Sequence, residues 1–217
     1  MSSGLVKYNW DFIENHSEEE ITYFLHLEGK SIEAISKIRN LEKSTVQKHL
    51  INCKIKYRYL VKSESIDELF QSLAKADKSE RIYVLNSLDR VNKEKLKDFI
   101  KKNYIDLTLR DKESALWIIG ELRIEECIDI LIKSTVNNHV NIRRLSVSAL
   151  GKIAHEKGEI ALVRALNDSN SQVVSYAIKS LQKLNSKRAI DKIKEIHISS
   201  DKPYIQKACE DYLAAVK

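Results

Sequence analysis

SVSALGKI, at Ser146–Ile153, has counterparts at a constant distance along the chain. ALWIIGEL begins at Ala115 and AIKSLQKL begins at Ala177, so each lies 31 residues away. A weaker copy, VLNSLDRV, begins at Val84, and a partial copy begins at Ala208. Periods of roughly 20 to 50 residues are typical of solenoids, in which stacked units bury apolar faces that a single unit leaves in water.

Apolar residues hold three positions of this period. The first helical stretch of each unit carries two columns, at Leu88, Ile119, Leu150 and Leu181 and at Val91, Leu122, Ile153 and Leu184. The second stretch carries one column, at Ile100, Leu131, Leu162 and Ile193. We therefore predict an all-α solenoid of about four and a half helical pairs over residues 79–217. Its units lie near 79–109, 110–140, 141–171 and 172–202, with a partial unit at 203–217.

The repeat resembles HEAT repeats, notably the short bacterial kind also called PBS-lyase-like. This resemblance implies a curved surface that binds protein partners. HEAT units often carry Asp in the turn between units and Arg six residues later, and together these residues form a stacked ladder. The equivalent pairs here are Asp106 and Lys112, Asn137 and Arg143, and Asp168 and Val174. Because the pairing of an acidic with a basic side chain is lost along the chain, we expect a partial ladder with a structural role.

A different pattern precedes the repeats. Ser17 and Glu20 match a capping box, and the helix that they open ends near Gly29. The apolar stripe of this helix is Ile21, Phe24, Leu25 and Leu27. Ser31 can cap a short second helix that buries Ile32, Ile35 and Ile38. After a turn at residues 40–42, a third helix directs Val46, Leu50 and Cys53 inward.

Two short helices joined by a tight turn predict a helix-turn-helix module at residues 17–62. An N-terminal extension at 1–16 and a bridging helix at 63–78 flank it. The stretch GKSIEAISKIRNLEKSTVQKHL, residues 29–50, resembles the helix-turn-helix at the C-terminus of some RecQ-type helicases and, more loosely, the LuxR/GerE module. This resemblance implies DNA binding. Glu42 departs from the small capping Ser of LuxR-type modules, and its charge would repel phosphate.

The outward face of the third helix has side chains suited to nucleic acid. Lysine neutralises phosphate or donates to guanine, glutamine pairs with adenine, and hydroxyl groups bond phosphate at a helix N-terminus. The candidates on this helix are Lys43, Ser44, Thr45, Gln47 and Lys48. Residues 43–62 contain six Lys or Arg and no acidic residue, which adds Lys54, Lys56 and Arg58. Because Lys54, Lys56 and Arg58 alternate with Ile55, Tyr57 and Tyr59, we predict an extended segment here, with the tyrosines packed rather than stacked on bases.

Two features of the repeats indicate a surface for partners. Lys102, Lys133 and Arg164 are each 31 residues apart, and the series ends at Glu195. They predict either a basic row for an acidic partner or phosphate backbone, or an ordinary solvated face. Trp117 stands where the other units carry polar residues. Its ring indicates either a contact outside its unit or a locally wider apolar stripe.

Composition narrows the class of protein. The 217 residues include one proline and five glycines, which suits helices joined by short turns, and the net charge of +6 is compatible with a polyanionic partner. Three scattered cysteines form no CxxC pair, so we expect reduced thiols in the cytoplasm rather than disulfides or a zinc cage. No apolar run reaches the length of a membrane helix.

No motif for catalysis, metal or cofactor binding is present, so we expect no catalytic residue, no metal and no cofactor. The sequence thus favours a non-enzymatic DNA-binding adaptor that binds duplex DNA and a protein partner. A single helix-turn-helix usually needs a second copy, so the chain either forms an oligomer or gains affinity from its partner. Two alternatives remain, a purely protein-binding scaffold and a HEAT-like enzyme of the DNA glycosylase type.

Overall fold

The structure is a computed structural model that describes residues 3–216. It divides into two compact units, Met1–Phe99 and Ile100–Lys217. Across the described range every regular element is helical, with fourteen α-helices and four short 3-10 segments. The all-α class predicted from the sequence is confirmed.

The first unit contains a 3-10 segment, six α-helices and most of a seventh. The 3-10 segment spans Trp10–Asn15. The helices are α1 (Glu18–Leu27), α2 (Ile32–Arg39), α3 (Lys43–Lys56), α4 (Arg58–Lys62), α5 (Ile66–Lys75), α6 (Lys78–Ser87) and α7 (Arg90–Asn103).

Helices α1 to α3 form the predicted trihelical core, and local signals set their ends. The Ser17 side chain accepts a hydrogen bond from the Glu20 amide while Glu20 accepts one from the Ser17 amide, so the predicted capping box is present. Gly29, with φ of +87°, follows α1 in a left-handed conformation that glycine adopts without a steric penalty. Ser31 caps α2, and Asn40 ends it in the left-handed region.

The buried face of α3 agrees with the prediction, whereas that of α2 agrees only in part. Val46, Leu50 and Cys53 are buried. On α2, Ile35 is buried but Ile38 is 60% exposed, so the prediction for Ile38 was wrong. Arg39 takes the inward place instead, since its guanidinium donates to the Glu18 carbonyl at 2.5 Å and also pairs with the Glu18 carboxylate.

A buried threonine ties the three helices together. The hydroxyl of Thr22 on α1 accepts from Arg39 of α2 at 2.9 Å and shares a hydrogen bond with His49 Nδ1 of α3 at 3.1 Å. It also donates to the Glu18 carbonyl at 3.1 Å. The arginine and the histidine of the helix-turn-helix pattern therefore hold the fold and are not part of the outward face.

Residues 54–62 are helical, so the prediction of an extended segment was wrong. Helix α3 continues to Lys56, and α4 follows after a bend at Tyr57. The inward positions Leu50, Cys53, Tyr57 and Leu60 have the three-to-four-residue spacing of a helix. Burial of this stripe outweighs the short alternation of basic and apolar residues, which is equally compatible with either structure.

The N-terminal extension packs on the trihelical core. Leu5 and Val6 are buried, and the Leu5 amide donates to the Leu60 carbonyl at 2.9 Å. Tyr8 stacks on Phe24 with ring centres 4.4 Å apart. The extension therefore contributes to the core of the first unit.

The second unit contains the regular repeats. After the C-terminal end of α7, its helices are α8 (Leu109–Glu121), α9 (Ile128–Ser134), α10 (Val140–Ile153), α11 (Glu159–Ala165), α12 (Ser171–Lys183), α13 (Ile190–Ser199) and α14 (Pro203–Ala215). A 3-10 segment precedes each of α9, α11 and α13, at Glu125–Cys127, Glu156–Gly158 and Lys187–Ala189. The 31-residue period recurs in the backbone, because Arg123, Ala154 and Asn185 all have a positive φ after the first helix of their pair.

The apolar columns show where the repeat is regular. The columns that contain Leu150 and Leu162 are buried in all four units. The column that contains Ile153 is half-buried, and its first member, Val91, is 54% exposed. The first pair departs from the pattern because α6 ends at Ser87 and α7 begins at Arg90. The repeat region was predicted to begin at residue 79, while the first structural unit extends to Phe99.

Small residues bring successive first helices of the repeats close together. A Cβ atom added at Gly120 would lie 3.0 Å from Ala149, and one added at Gly151 would lie 2.1 Å from Ser180 Oγ. These two glycines hold equivalent positions of the period. Ser180 also donates to the Val147 carbonyl at 2.9 Å, so α10 and α12 are joined by both contact and hydrogen bond.

One rung of the predicted ladder is formed. Arg143 Nε and Nη2 donate to the two carboxylate oxygens of Asp168 at 2.6 and 3.0 Å. Arg143 Nη1 donates to the carbonyls of Asn137 and Asn138 at 2.9 and 3.1 Å. Burial acts to raise the pKa of Asp168, but hydrogen bonds from Arg143 and the Asn170 amide outweigh it, and the pKa is lowered. The ladder is therefore partial and structural, as expected.

Candidate nucleic-acid interface

The N-terminal half of α3 presents a polar, exposed face. Four of the predicted residues are exposed there, and Thr45 is half-buried. The exposed four are Lys43, Ser44, Gln47 and Lys48. Glu42 is the N-cap residue and its side chain makes no capping hydrogen bond, so the first amides of α3 have no side-chain acceptor at the cap. Such amides can donate to an anion.

The two lysines of this face are available to phosphate. Lys43 Nζ lies 3.2 Å from Glu33 Oε1, but both side chains are about 60% exposed. An ion pair in water contributes little, so a phosphate can replace Glu33 at small cost. Lys48 forms no ion pair within residues 3–216. The polar half of α3 therefore carries two cations, an amide and a hydroxyl on one accessible surface.

Lys56 and Arg58, which were predicted to contact DNA, are each paired with a carboxylate of the first unit, while their side chains are 38% and 47% exposed. Whether they contact DNA stays a prediction. Lys56 Nζ and Tyr57 Oη donate to Glu20 Oε1 at 2.8 and 2.5 Å. Arg58 donates to Glu80 at 2.6 Å, and Tyr59 Oη donates to the same carboxylate at 2.8 Å. Moving either cation to a phosphate would leave its carboxylate partner without that charge. Lys54 is exposed and lies further along α3, beyond the polar half.

The Glu20 cluster predicts a specific response to acid. Burial acts to raise the pKa of Glu20, but the bonds from Lys56, Tyr57 and Ser17 outweigh it and lower the pKa from 4.5 to about 2. A carboxyl group with a lowered folded-state pKa stabilises the fold above its unfolded pKa, and that contribution disappears as the pH falls toward its folded pKa. As the pH falls from about 4.5 to 2, the loss of this contribution from Glu20 should lower the free energy of unfolding by about 2 kcal/mol.

Unfolding by urea across this pH range measures the effect. Glu20→Gln should be less stable than the wild type at pH 7 and should lose less stability on acidification. Glu14→Gln, which removes one charge from an exposed side chain, serves as the control and should follow the wild type. If the free energy of unfolding falls equally with pH in the wild type and in Glu20→Gln, the ionised Glu20 carboxylate does not stabilise the fold.

The C-terminal half of α3 has a different surface that sequence reasoning did not assign to a site. Ile51 and Ile55 are 59% and 61% exposed there. Their spacing of four residues was a visible signal, because it puts two large apolar side chains on one outward face. The basic residues around them favoured a prediction of phosphate binding instead.

In the second unit, the predicted basic row is exposed. Lys102, Lys133 and Arg164 lie near the C-terminal ends of α7, α9 and α11. Arg164 donates to Thr135 Oγ1 at 3.1 Å. Whether this row binds a partner stays a prediction.

Trp117 is half-buried within the second unit. Lys152 Nζ, from the next repeat, lies 5.9 Å from the centre of its ring and also pairs with Glu121 at 2.5 Å. The ring is therefore in contact with its own solenoid, which favours the locally wider apolar stripe over a bare docking residue.

Residues that could carry other chemistry are buried or dispersed. Cys53, Cys127 and Cys209 are buried thiols. Burial raises the pKa of Cys53 to about 12 and of Cys209 to about 11, which disfavours the reactive thiolate. Within residues 3–216 there is no group of three or more potential metal ligands, and no helix has the length and apolar character needed to span a bilayer.

Comparisons with known proteins agree with this architecture. A family described as "Helix-turn-helix domain" matches residues 18–108, and a family described as "HEAT repeats" matches residues 128–214. No curated protein matches the chain. Among solved structures, it is similar to a designed armadillo repeat protein in complex with the peptide (KR)4, with a TM-score of 0.54 and 16% identity over 79% of this chain and 94% of that one.

It is also similar to an engineered protein, with a TM-score of 0.51 and 12% identity over 93% of this chain and 97% of that one. At such identities these structures support the fold alone. The order of elements, the caps of α1 and α2 and the 31-residue backbone period agree with the two family matches. The chain thus carries a helix-turn-helix domain at residues 18–108, followed by HEAT repeats at residues 128–214.

Proposed function

We propose that the chain is a non-enzymatic adaptor that binds duplex DNA through the N-terminal half of α3 and a protein partner through its HEAT repeats. The observation that carries the DNA part is the exposed set Lys43, Ser44, Gln47 and Lys48 on the third helix of a helix-turn-helix domain. In this class of domain the N-terminal residues of the corresponding helix contact base edges.

We expect these side chains to have different roles in DNA binding. Lys43 and Lys48 supply the charge that attracts the phosphate backbone, which gives affinity without sequence preference. Gln47 can pair with adenine in the major groove, and Ser44 can donate to a phosphate oxygen beside the free amides of α3. Since one helix reads one half-site, we expect specific binding to need a second copy of the domain or help from the protein partner.

The protein part of the proposal rests on the solenoid. HEAT repeats stack into extended surfaces of the kind that bind other proteins. The designed armadillo repeat protein was solved with the basic peptide (KR)4, whereas the HEAT repeats of this chain themselves carry the exposed basic row of Lys102, Lys133 and Arg164. We therefore propose an acidic partner for the HEAT repeats of this chain.

Fluorescence anisotropy with a labelled random-sequence DNA duplex tests the DNA part. Wild-type affinity should fall steeply as salt rises, because each neutralised phosphate releases a counterion. Lys43→Ala with Lys48→Ala should weaken binding at low salt by at least about tenfold and reduce the salt slope by about two.

The matched control is Lys75→Ala with Lys78→Ala, which removes the same charge from exposed positions of the same unit. This control should lose much less affinity than the α3 variant. Equal losses in both variants would mean that net charge alone drives binding. Failure of the wild type to bind duplex DNA at low salt would favour a purely protein-binding scaffold.

A further inference from the structure

The outer surface of α3 changes character along the helix. Its N-terminal half is polar, whereas Ile51 and Ile55 in its C-terminal half are 59% and 61% exposed. Single exposed apolar residues are ordinary, but large ones that are grouped in a concave surface mark interaction sites. The DNA-binding proposal does not use this half of the helix.

The two isoleucines line an open groove of about 600 Å³ between α3 and α6, here called the α3–α6 groove. Tyr83 of α6 contributes a ring that is 48% exposed, and Val84 forms part of the floor. The full lining is Ile51, Lys54, Ile55, Arg58, Tyr59, Ser79, Glu80, Tyr83 and Val84. A groove of this kind can accept apolar side chains of a bound segment.

The charges at the edge of the α3–α6 groove are not balanced. Its one carboxylate, Glu80, is already engaged by Arg58 at 2.6 Å and by the Tyr59 hydroxyl at 2.8 Å. Lys54 is exposed and forms no ion pair within the described residues. The edge therefore carries a positive charge without an internal counter-ion.

A second groove lies on the other side of Lys54 and Arg58, here called the α1–α4 groove. Its volume is about 590 Å³, and its lining is Tyr23, His26, Leu27, Lys54, Arg58, Val61 and Lys62. No carboxylate lines it, and Lys62 has no ion-pair partner in the range that the structure describes. Two apolar depressions are thus separated by one basic ridge.

We infer that the two grooves bind an acidic amphipathic segment of another protein. Apolar side chains of the segment would fill the grooves, and its carboxylates would pair with Lys54 and Lys62. Helix-in-groove recognition combines apolar anchors with a complementary charge in this way. Duplex DNA fits the surface less well, because sugar and phosphate gain nothing from contact with the exposed isoleucines and tyrosine.

Peptide binding to the full chain tests this inference. The probe is a fluorescein-labelled helical peptide of about 16 residues with leucine repeated at positions i, i+3, i+4 and i+7, glutamate at about four of the other positions and alanine at the rest. Its counterparts carry lysine in place of glutamate, or serine in place of leucine. The acidic peptide should bind with micromolar affinity, and both counterparts should bind at least about tenfold more weakly.

Variants of the chain locate the site. Ile51→Ser with Ile55→Ser should weaken binding of the acidic peptide at least about tenfold, and Lys54→Glu should do the same. The control is Ile38→Ser, because Ile38 is 60% exposed in the same unit but lies outside both grooves. Thermal unfolding checks that each variant is folded.

Four results would overturn the inference. The first is equal affinity for the acidic and the basic peptide. The second is an affinity for the acidic peptide that Ile51→Ser with Ile55→Ser leaves unchanged. The third is loss of duplex DNA binding rather than peptide binding in that variant. The fourth is loss of self-association in that variant, which would make a second copy the occupant. The variant Lys43→Ala with Lys48→Ala, which tests DNA binding, should still bind the peptide. The proposals for DNA and for the peptide can therefore fail independently.

Discussion

Replacing Gly151 with alanine should lower the free energy of unfolding of the repeat unit by about 2 to 3 kcal/mol. The added Cβ would lie 2.1 Å from Ser180 Oγ, 2.5 Å from Ser180 Cβ and 2.8 Å from Ser180 Cα. A collision with a backbone atom cannot be relieved by a rotamer change, so α10 and α12 must move apart. That movement also weakens the hydrogen bond from Ser180 to Val147.

Helix propensity alone would make this substitution stabilising, because alanine in a helix is favoured over glycine by about 1 kcal/mol. The predicted loss of stability therefore reports the collision with Ser180. Urea unfolding of the variant measures the balance. Adding Ser180→Gly, which removes the opposing side chain, should restore part of the loss, with a coupling energy of at least about 1 kcal/mol. A Gly151→Ala protein as stable as the wild type would mean that the two helices are not held at this distance in solution.

Replacing Arg143 with alanine should cost about 3 kcal/mol, the second large effect. Both side chains of the Arg143–Asp168 pair are largely buried, at 13% and 8% exposure. Without the guanidinium, Asp168 retains only the bond from the Asn170 amide, and two turn carbonyls lose their donor. A buried charge without its partner is the main source of the cost.

Two further variants separate charge from geometry. Arg143→Lys keeps the charge but loses the fork that binds both carboxylate oxygens, so we expect roughly half the cost. Arg143→Met with Asp168→Leu removes both partners and should be more stable than Arg143→Ala. If Arg143→Ala changes the free energy of unfolding by less than about 0.5 kcal/mol, the ladder has no role in stability.

Features encoded within one or two helical turns could be predicted from the sequence. The capping box of Ser17 and Glu20 is local, and the buried columns of the repeats follow from a period that the sequence displays several times. The first pair was less predictable because α7 begins at Arg90, earlier than the period requires. Local spacing alone also favoured Ile38 over Arg39 as the inward residue of α2.

Features that depend on distant parts of the chain were not predictable. Lys56 meets Glu20, which is 36 residues away in sequence, so a predicted DNA ligand is already paired with a carboxylate of its own unit. The α3–α6 groove forms only when α6 is placed beside Ile51 and Ile55. Composition near α3 indicated a basic surface, whereas the fold divides that surface into a polar half and an apolar half.

Photo-crosslinking to DNA from position 47 tests the central claim most directly. Gln47 lies in the middle of the polar half of α3, so a benzophenone side chain placed there should form an adduct with a labelled duplex. The same side chain at position 179, on the exposed surface of α12, should form none. Adducts of equal yield from both positions, or no adduct from position 47 under conditions where the duplex is bound, would contradict DNA binding by α3.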